Sequence, residues 1–305
     1  MPTPVRVLVC DNVEIEHLSL GPSFQLDYRP GISKDELLRT VGGYDVLIVR
    51  SRTKVDRDVL DRGSSLKVVA RPGTGLDNID VEYAKRKGIE VFNSPESLVE
   101  AVAEHVTLLM LALSRKLTQA DQSTKAGKWE KGGLMGSELK GKVLGIVGLG
   151  RIGKRIAAIA SVLGMSVLVY DVIVIPQQVV EELHCRIVGL DELFSSSDYI
   201  TLHVPMTAET RHMVDSNKLS SMKRTAFLVN TSRGGVVDEA SLADALEKGV
   251  IAGAALDVFE AEPPSGTILS APNVVLTPHI GGQTAEAQVN AITVVGDKLR
   301  TYFSK

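Results

Sequence analysis

Val143-Leu144-Gly145-Ile146-Val147-Gly148-Leu149-Gly150-Arg151-Ile152-Gly153 opens the second half of the chain. A strand-like run, Val143–Val147, leads into Gly148, Gly150 and Gly153, which satisfy the spacing G-x-G-x-x-G. Ile152, Ile156, Ile159 and Leu163 then recur at helical spacing, and Gly164 ends the pattern. Gly148 allows a tight turn, Gly150 lets backbone approach a pyrophosphate, and Gly153 lets helix and sheet pack closely. The phosphates would sit at the helix N-terminus, where amides and the helix dipole favour negative charge. The next strand ends at Tyr170-Asp171, roughly 20 residues on, where a carboxylate can accept hydrogen bonds from ribose hydroxyls. Strand, glycines, helix, strand and acid in this order predict a dinucleotide site. Asp171 would repel a 2′-phosphate, and Val172-Ile173-Val174 offers no arginine to hold one, so NAD is expected rather than NADP.

Outward from this motif, short β-branched runs alternate with helix-like segments. Before it come Val5–Cys10, Val46–Val49, Leu66–Ala70 and Ile89–Phe92; after it come Val167–Tyr170, Tyr199–His203, Phe227–Asn230, Ala252–Leu256 and Val274–Leu276. Ser33-Lys34-Asp35-Glu36 reads as a capping box, and Asp80 to Gly88 as a short helix with an acidic cap and basic last turn. Strands joined by helices imply α/β architecture with parallel sheets covered on both faces. Pro95 to about Lys116 reads as one long helix with apolar Val102, Val106, Leu109 and Leu113, bridging two domains. A glycine-rich basic stretch follows it. The last helix, about Thr284 to Phe303, is longer than the closing edge of a nucleotide domain needs, and is expected to return to the N-terminal unit.

Composition narrows the classes. At 305 residues, with about 100–200 residues per domain, two domains are expected. Charged residues make up 23% and apolar residues 44%, which argues against disorder. The net charge of −3 gives no reason to expect nucleic acid or an anionic membrane. The longest apolar stretch, Val106–Leu113, is far short of the ~20 residues a bilayer requires. Met1-Pro2-Thr3-Pro4-Val5-Arg6 lacks the pattern of a secretory signal. Cys10 and Cys185 cannot build a disulfide framework or a cysteine zinc site, so no metal is expected and the reading is a cytoplasmic protein.

Three polar residues follow strand-like runs in the second half. Arg233 lies in Asn230-Thr231-Ser232-Arg233-Gly234-Gly235, Glu262 precedes Pro263-Pro264, and His279 lies in Thr277-Pro278-His279-Ile280-Gly281-Gly282. In an open parallel sheet the carboxyl ends of strands line the ligand crevice, so the three are expected to converge where a nicotinamide would sit. Singly they have bland readings: a surface charge, a cap before prolines, a structural histidine. Together they supply what oxidation of a 2-hydroxy acid requires. An arginine fork holds the carboxylate, a histidine takes the hydroxyl proton, and a carboxylate orients the imidazole.

These residues resemble the NAD-dependent D-specific 2-hydroxyacid dehydrogenases, and within them the catalytic part of the D-3-phosphoglycerate dehydrogenases. Nearly the whole chain takes part. The resemblance is carried by Val49–Val55, Arg71–Asp80, Gly127–Glu130, Gly148–Gly153, His203-Val204-Pro205, Asn230–Gly235, Ala254–Phe259 and Pro278–Gly282. It implies a Rossmann NAD-binding domain, 96–282, inserted in a flavodoxin-like substrate domain, 1–95 plus 283–305, both doubly wound. It implies Arg233, Glu262 and His279 as the catalytic residues, with cofactor contacts at Thr74, Arg151, Ile152, Asp171, Val204, Thr231, Ser232, Asp257, Gly281 and Gly282 beside the three glycines. Substrate contacts are expected at Arg50, Ser51, Arg71, Gly73 and Arg233, with Lys54 joining Arg50 and Arg71 in a cation cluster suited to phosphate, and Arg52 and Lys131 as further cations that surface charge explains as well. It further implies a cleft closing by a hinge, and a homodimer or homotetramer built through the NAD-binding domain, with Trp129 in the segment reaching the partner.

The expected reaction is oxidation of 3-phospho-D-glycerate to 3-phosphohydroxypyruvate, the first step of serine synthesis. A glyoxylate, hydroxypyruvate or D-lactate reductase on the same scaffold is the alternative, and an NAD-responsive corepressor-like scaffold the remote one. The chain departs from the family pattern at Pro72, which stiffens the substrate loop, and at Leu98, Val99 and Ala101, where small polar residues are common. Its end at Lys305 reads as absence of the regulatory domains of longer members, so serine feedback is not expected.

Overall fold

The structure, a computed structural model, describes residues 3–304. The chain divides into two compact units, Met1–Val99 with Gly282–Lys305, and Glu100–Gly281.

In the first unit five parallel strands, β1 (Val5–Val9), β2 (Phe24–Tyr28), β3 (Val46–Ile48), β4 (Val68–Arg71) and β5 (Glu90–Asn93), stand in the order β2-β1-β3-β4-β5. That is the flavodoxin-like order, whose winding reverses between β1 and β3. The central strands are apolar on both faces because helices cover both. Leu8, Leu47 and Val69 face one core with Leu37, Val59 and Leu60, and Val7, Ile48 and Val68 face the other. The terminal helix, Ala285–Phe303, capped by Thr284, contributes Ile292, Val295 and Leu299 to the second core. Ser33 and Asp80 cap their helices by accepting from the Glu36 and Tyr83 amides.

The second unit holds seven parallel strands: β6 (Val143–Val147), β7 (Ser166–Tyr170), β8 (Cys185–Ile187), β9 (Tyr199–Leu202), β10 (Phe227–Asn230), β11 (Gly253–Leu256) and β12 (Val274–Leu276). Their order, β12-β11-β10-β9-β6-β7-β8, winds both ways from β6 and puts the switch point between β6 and β9. Two strands had no counterpart in the sequence reading, β2 and β8. Both are sheet edges, and Phe24-Gln25-Leu26-Asp27-Tyr28 and Cys185-Arg186-Ile187 carry the mixed pattern of half-exposed strands rather than an apolar run.

One expectation is corrected. The long helix expected from Pro95 to Lys116 begins only at Val99 and ends at Ser114. Ser94–Ser97 form a turn, with the Ser97 amide on the Ser94 carbonyl. Beyond Ser114 the backbone turns left-handed at Lys116 (φ 51°) and a second helix, Leu117–Lys125, follows before the glycine-rich stretch. Val102, Val106, Leu109 and Leu113 are buried, as their spacing implied. No helix among the described residues is long and apolar enough to cross a membrane.

Candidate active site

At the carboxyl end of β6 the glycine turn has the geometry its spacing predicted. Gly148 has φ 96° and donates its amide to the Tyr170 carbonyl at the tip of β7. A Cβ on Gly148 would fall 2.6 Å from the His203 carbonyl oxygen, and one on Gly153 would fall 2.3 Å from that of Gly148. Neither position tolerates a side chain without moving backbone. Nothing lies within 4 Å of a Cβ on Gly150, which caps the helix Arg151–Val162 without a side-chain hydrogen bond. The backbone at that helix start is thus open to close approach by a ligand, as a pyrophosphate requires.

Asp171 follows β7. Its Oδ2 accepts from the Leu149 amide at 2.7 Å and its Oδ1 from the Ile173 amide at 3.0 Å, so the carboxylate is fixed beside the glycine turn. Val172, Ile173 and Val174 beyond it are exposed. Thr231 Oγ1, past β10, is buried with no hydrogen-bond partner among the described residues. An orphaned hydroxyl is costly unless a ligand meets it, so these groups fit a dinucleotide. His203 and Val204 follow β9 on the other side of the switch point. Burial pushes the His203 imidazole down to about 3, so its ring is neutral, and its Nε2 lies 2.8 Å from Thr201 Oγ1.

The catalytic candidates sit past three neighbouring strands. Arg233 follows β10, Glu262 follows β11 and His279 follows β12. Adjacent strands stand ~4.8 Å apart, so the outer two tips are about 10 Å from each other at the same sheet edge. His279 Nδ1 lies 2.9 Å from Glu262 Oε2 and 3.0 Å from Oε1. A carboxylate only accepts, so Nδ1 carries the proton and Nε2 is left with its lone pair free. Both side chains are about half exposed, at 49% and 42%, and so accessible to a small molecule.

Three features hold this geometry. Asn230, fully buried, donates to the Arg233 carbonyl at 2.9 Å and accepts from the Ser232 amide and hydroxyl. Arg233 Nη1 donates to the Ser232 carbonyl at 2.6 Å. Gly234 lies so close to the β11 loop that a Cβ there would fall 1.8 Å from the Phe259 carbonyl carbon; only glycine lets the arginine loop dock against the loop bearing Glu262.

Asp257, 1% exposed, accepts at Oδ1 from Thr277 Oγ1 (2.6 Å) and the Ile280 amide (2.9 Å), and at Oδ2 from the Gly281 amide (2.8 Å). Burial works against its charge, yet hydrogen bonds from His105, Thr277 and the two amides hold its carboxyl below the usual range. Its oxygens are thus given to the loop carrying His279. Sequence reading counted Asp257 as a cofactor contact and missed this positioning role. It also missed Asn230, for which a buried amide ending a strand was the only signal.

Other candidates belong to the first unit. Arg50 and Ser51 follow β3, and Arg71 ends β4, with Gly73 and Thr74 just beyond. Asp11, 4% exposed and not singled out from sequence, accepts from the Arg50 amide (2.6 Å), the Thr53 amide (3.2 Å), Thr53 Oγ1 (2.7 Å) and Arg52 Nε (3.2 Å). Arg52 Nη2 also donates to the Ile32 carbonyl at 3.1 Å, which makes Arg52 part of the loop's own structure. Gly73 is tied to Ser94 through its amide (2.8 Å) and its carbonyl (2.9 Å). Thr74 gives its carbonyl to Asn93, and its buried Oγ1 has no hydrogen-bond partner among the described residues. The Gly282 carbonyl accepts from Gln288.

The chain belongs to the D-isomer specific 2-hydroxyacid dehydrogenase family: residues 107–281 match the family's NAD binding domain. It is 44% identical over 300 residues to a D-3-phosphoglycerate dehydrogenase of Synechocystis sp., covering 98% of this chain and 54% of that protein. It is 48% identical over 261 residues to a hydroxypyruvate reductase of Thermotoga maritima, covering 84% of each. The D-lactate dehydrogenase of Aquifex aeolicus, solved with NAD and lactic acid, superposes with a TM-score of 0.86 at 30% identity, covering 98% of this chain and 95% of that one. The chain spans 54–57% of the length of the phosphoglycerate dehydrogenases it matches.

Proposed function

We propose that this protein is an NAD-dependent dehydrogenase of 3-phospho-D-glycerate, acting in the cytoplasm, with 3-phosphohydroxypyruvate as product. The observation that carries the hydroxy-acid chemistry is the His279–Glu262 pair, 2.9 Å apart at the sheet edge that also bears the glycine turn. Bound NAD supplies the hydride acceptor. Gly148, Gly150, Gly153, Arg151, Ile152, Asp171, Val204, Thr231, Ser232, Asp257 and Gly281 of the second unit, and Thr74 and Gly282 of the first, are the proposed cofactor-binding set. Arg233 holds the substrate carboxylate by its fork. His279 Nε2 takes the hydroxyl proton, and Glu262 keeps the ring turned to do so. The first unit is the proposed substrate-binding domain, contributing Arg50, Ser51, Arg71 and Gly73, with the two arginines suited to a phosphate.

A second reading, reduction of hydroxypyruvate or glyoxylate, is favoured by two observations. One is the likeness to the Thermotoga protein over 84% of its length; the other is the internal commitment of Arg52, which leaves one cation fewer for phosphate. The deciding experiment compares NADH-linked reduction of phosphohydroxypyruvate, hydroxypyruvate and glyoxylate. Higher kcat/KM on either unphosphorylated acid would overturn the phosphoglycerate assignment and leave the chemistry standing. Tighter binding of NADPH than NADH would overturn the role given to Asp171. A homodimer or homotetramer built on the second unit belongs to the same proposal, supported by the exposed Trp129 and Met135; a monomeric mass in solution would end it.

A further inference from the structure

His105 lies on the helix Val99–Ser114, distant in sequence from every residue of the proposed chemistry, yet its ring reaches the loop that carries His279. Its Nε2 lies 3.2 Å from Thr277 Oγ1 and 3.4 Å from Asp257 Oδ1, and its side chain is 10% exposed. The direction of the bond follows from counting protons. Thr277 Oγ1 has one hydrogen, given to Asp257 Oδ1 at 2.6 Å, so His105 Nε2 must be the donor to the hydroxyl oxygen.

That donor acts on backbone geometry. His279 has φ 55°, in the left-handed region that a non-glycine residue rarely adopts. On one side of it, Thr277 is fastened by its hydroxyl to Asp257 and by its amide to the Leu256 carbonyl. On the other, the Ile280 and Gly281 amides are fastened to the same carboxylate. Asp257 therefore grips both flanks of the left-handed residue. His105 is the side chain from outside the two loops that supports both Asp257 and Thr277 in a nearly water-free setting, where a lost donor is felt most.

We infer that His105 is a positioning residue for His279: through Thr277 and Asp257, its Nε2–H holds the loop in the conformation that aims the imidazole. The effect on turnover rests on the proposed hydroxy-acid chemistry; the clamp itself does not. Two variants of the full chain test it. His105→Leu keeps the volume and removes the donor, and His105→Gln returns an N–H at similar reach. Amide hydrogen exchange of the segment spanning Ile280 and Gly281 should speed up about tenfold in the Leu variant, with the sheet unchanged, and recover in the Gln variant. On the preferred 2-oxo acid, kcat should fall about tenfold or more with KM within about twofold, because a misaimed base costs the chemical step rather than binding. Thr277→Val, which breaks the same relay, should behave like His105→Leu. Unchanged exchange in the Leu variant, or faster exchange with kcat intact, would overturn the inference. A wild-type protein that turns over no 2-oxo acid would overturn the proposed function instead, while the exchange arm still decides the clamp.

Discussion

Asp11 and Asp257 sit in different units and do the same structural job for different cargo. Each is a nearly buried carboxylate just past a parallel strand, and each gathers donors from the loop past the neighbouring strand. Asp11 follows β1 and holds the loop past β3; Asp257 follows β11 and holds the loop past β12. They differ in what balances the charge. Asp11 has a guanidinium, Arg52, whose head is 57% exposed. Asp257 has a largely buried histidine and a hydroxyl. The first arrangement shapes a loop bearing Arg50 and Ser51, which bind in the proposed function. The second shapes a loop bearing His279, the base in the proposed function. If the proposed roles hold, the same device serves binding in one place and chemistry in the other, and mutation should separate the two.

The cargo of the Asp257 loop should show the largest effect. His279→Asn removes the base and should lower kcat roughly 10³-fold, within the usual range for general acid–base groups, with NADH affinity changed less than about twofold. Stopped-flow turnover and fluorescence titration check the two halves. Arg233→Lys, beside it, should raise KM for the oxo acid about 10- to 100-fold, since a point charge cannot reproduce the bidentate fork.

Asn in place of each carboxylate tests the comparison itself. Asp257→Asn should cut kcat about tenfold with little change in KM, and Asp11→Asn should do the reverse, each through a loosened loop. Equal effects on kcat from both would break the contrast. A finer distinction lies between neighbouring arginines. Arg50→Met should raise KM about tenfold for the phosphorylated acid and less for hydroxypyruvate, the loss of one charge-assisted hydrogen bond. Arg52→Met should leave that ratio alone and cost about 1 kcal/mol or less in urea unfolding, because its guanidinium is already engaged by Asp11 and the Ile32 carbonyl.

Acid titration separates a group kept charged from one kept neutral. His203 is held at about 3 against an ordinary 6.5, so the unfolded chain binds the extra proton and stability falls as pH drops through that window. The slope from one proton is at most about 1.4 kcal/mol per pH unit. Asp257 has a folded value below its ordinary 3.8. Its contribution is therefore complete above the unfolded value and is lost only as pH falls below it. His203→Gln should flatten the decline between pH 6 and 4 and leave the steeper acid limb. Unfolding curves at pH 7, 5 and 4 for the variant and the parent read this directly.

How far the sequence could be read follows from how local each signal was. The turn at Gly148–Gly153 was legible because its requirements, a tight turn, an open helix end and close packing, are met by glycines within six positions. Asp171 and the apolar central strands were legible for the same reason. The edge strands β2 and β8 were not, since half-exposed strands lack a continuous apolar run. The helix Leu117–Lys125 was not legible either, since it buries no residue and carries no apolar stripe. Asp11 and His105 carry no local signal: an aspartate after a strand or a histidine on a helix has the same sequence appearance whether it clamps a loop or faces water.

The chain's own order of residues therefore determined that a glycine turn of dinucleotide type exists, which acid follows the next strand beside it, and which arginine, glutamate and histidine follow neighbouring strands. Tertiary structure alone decided that Glu262 meets Nδ1 and leaves Nε2 free, that Arg52 is held by Asp11 and the Ile32 carbonyl, and that a histidine 172 residues upstream reaches Thr277. The physical reason is range. Propensity and spacing act over a few residues, whereas hydrogen bonds to a buried carboxylate depend on which strands the winding has made neighbours.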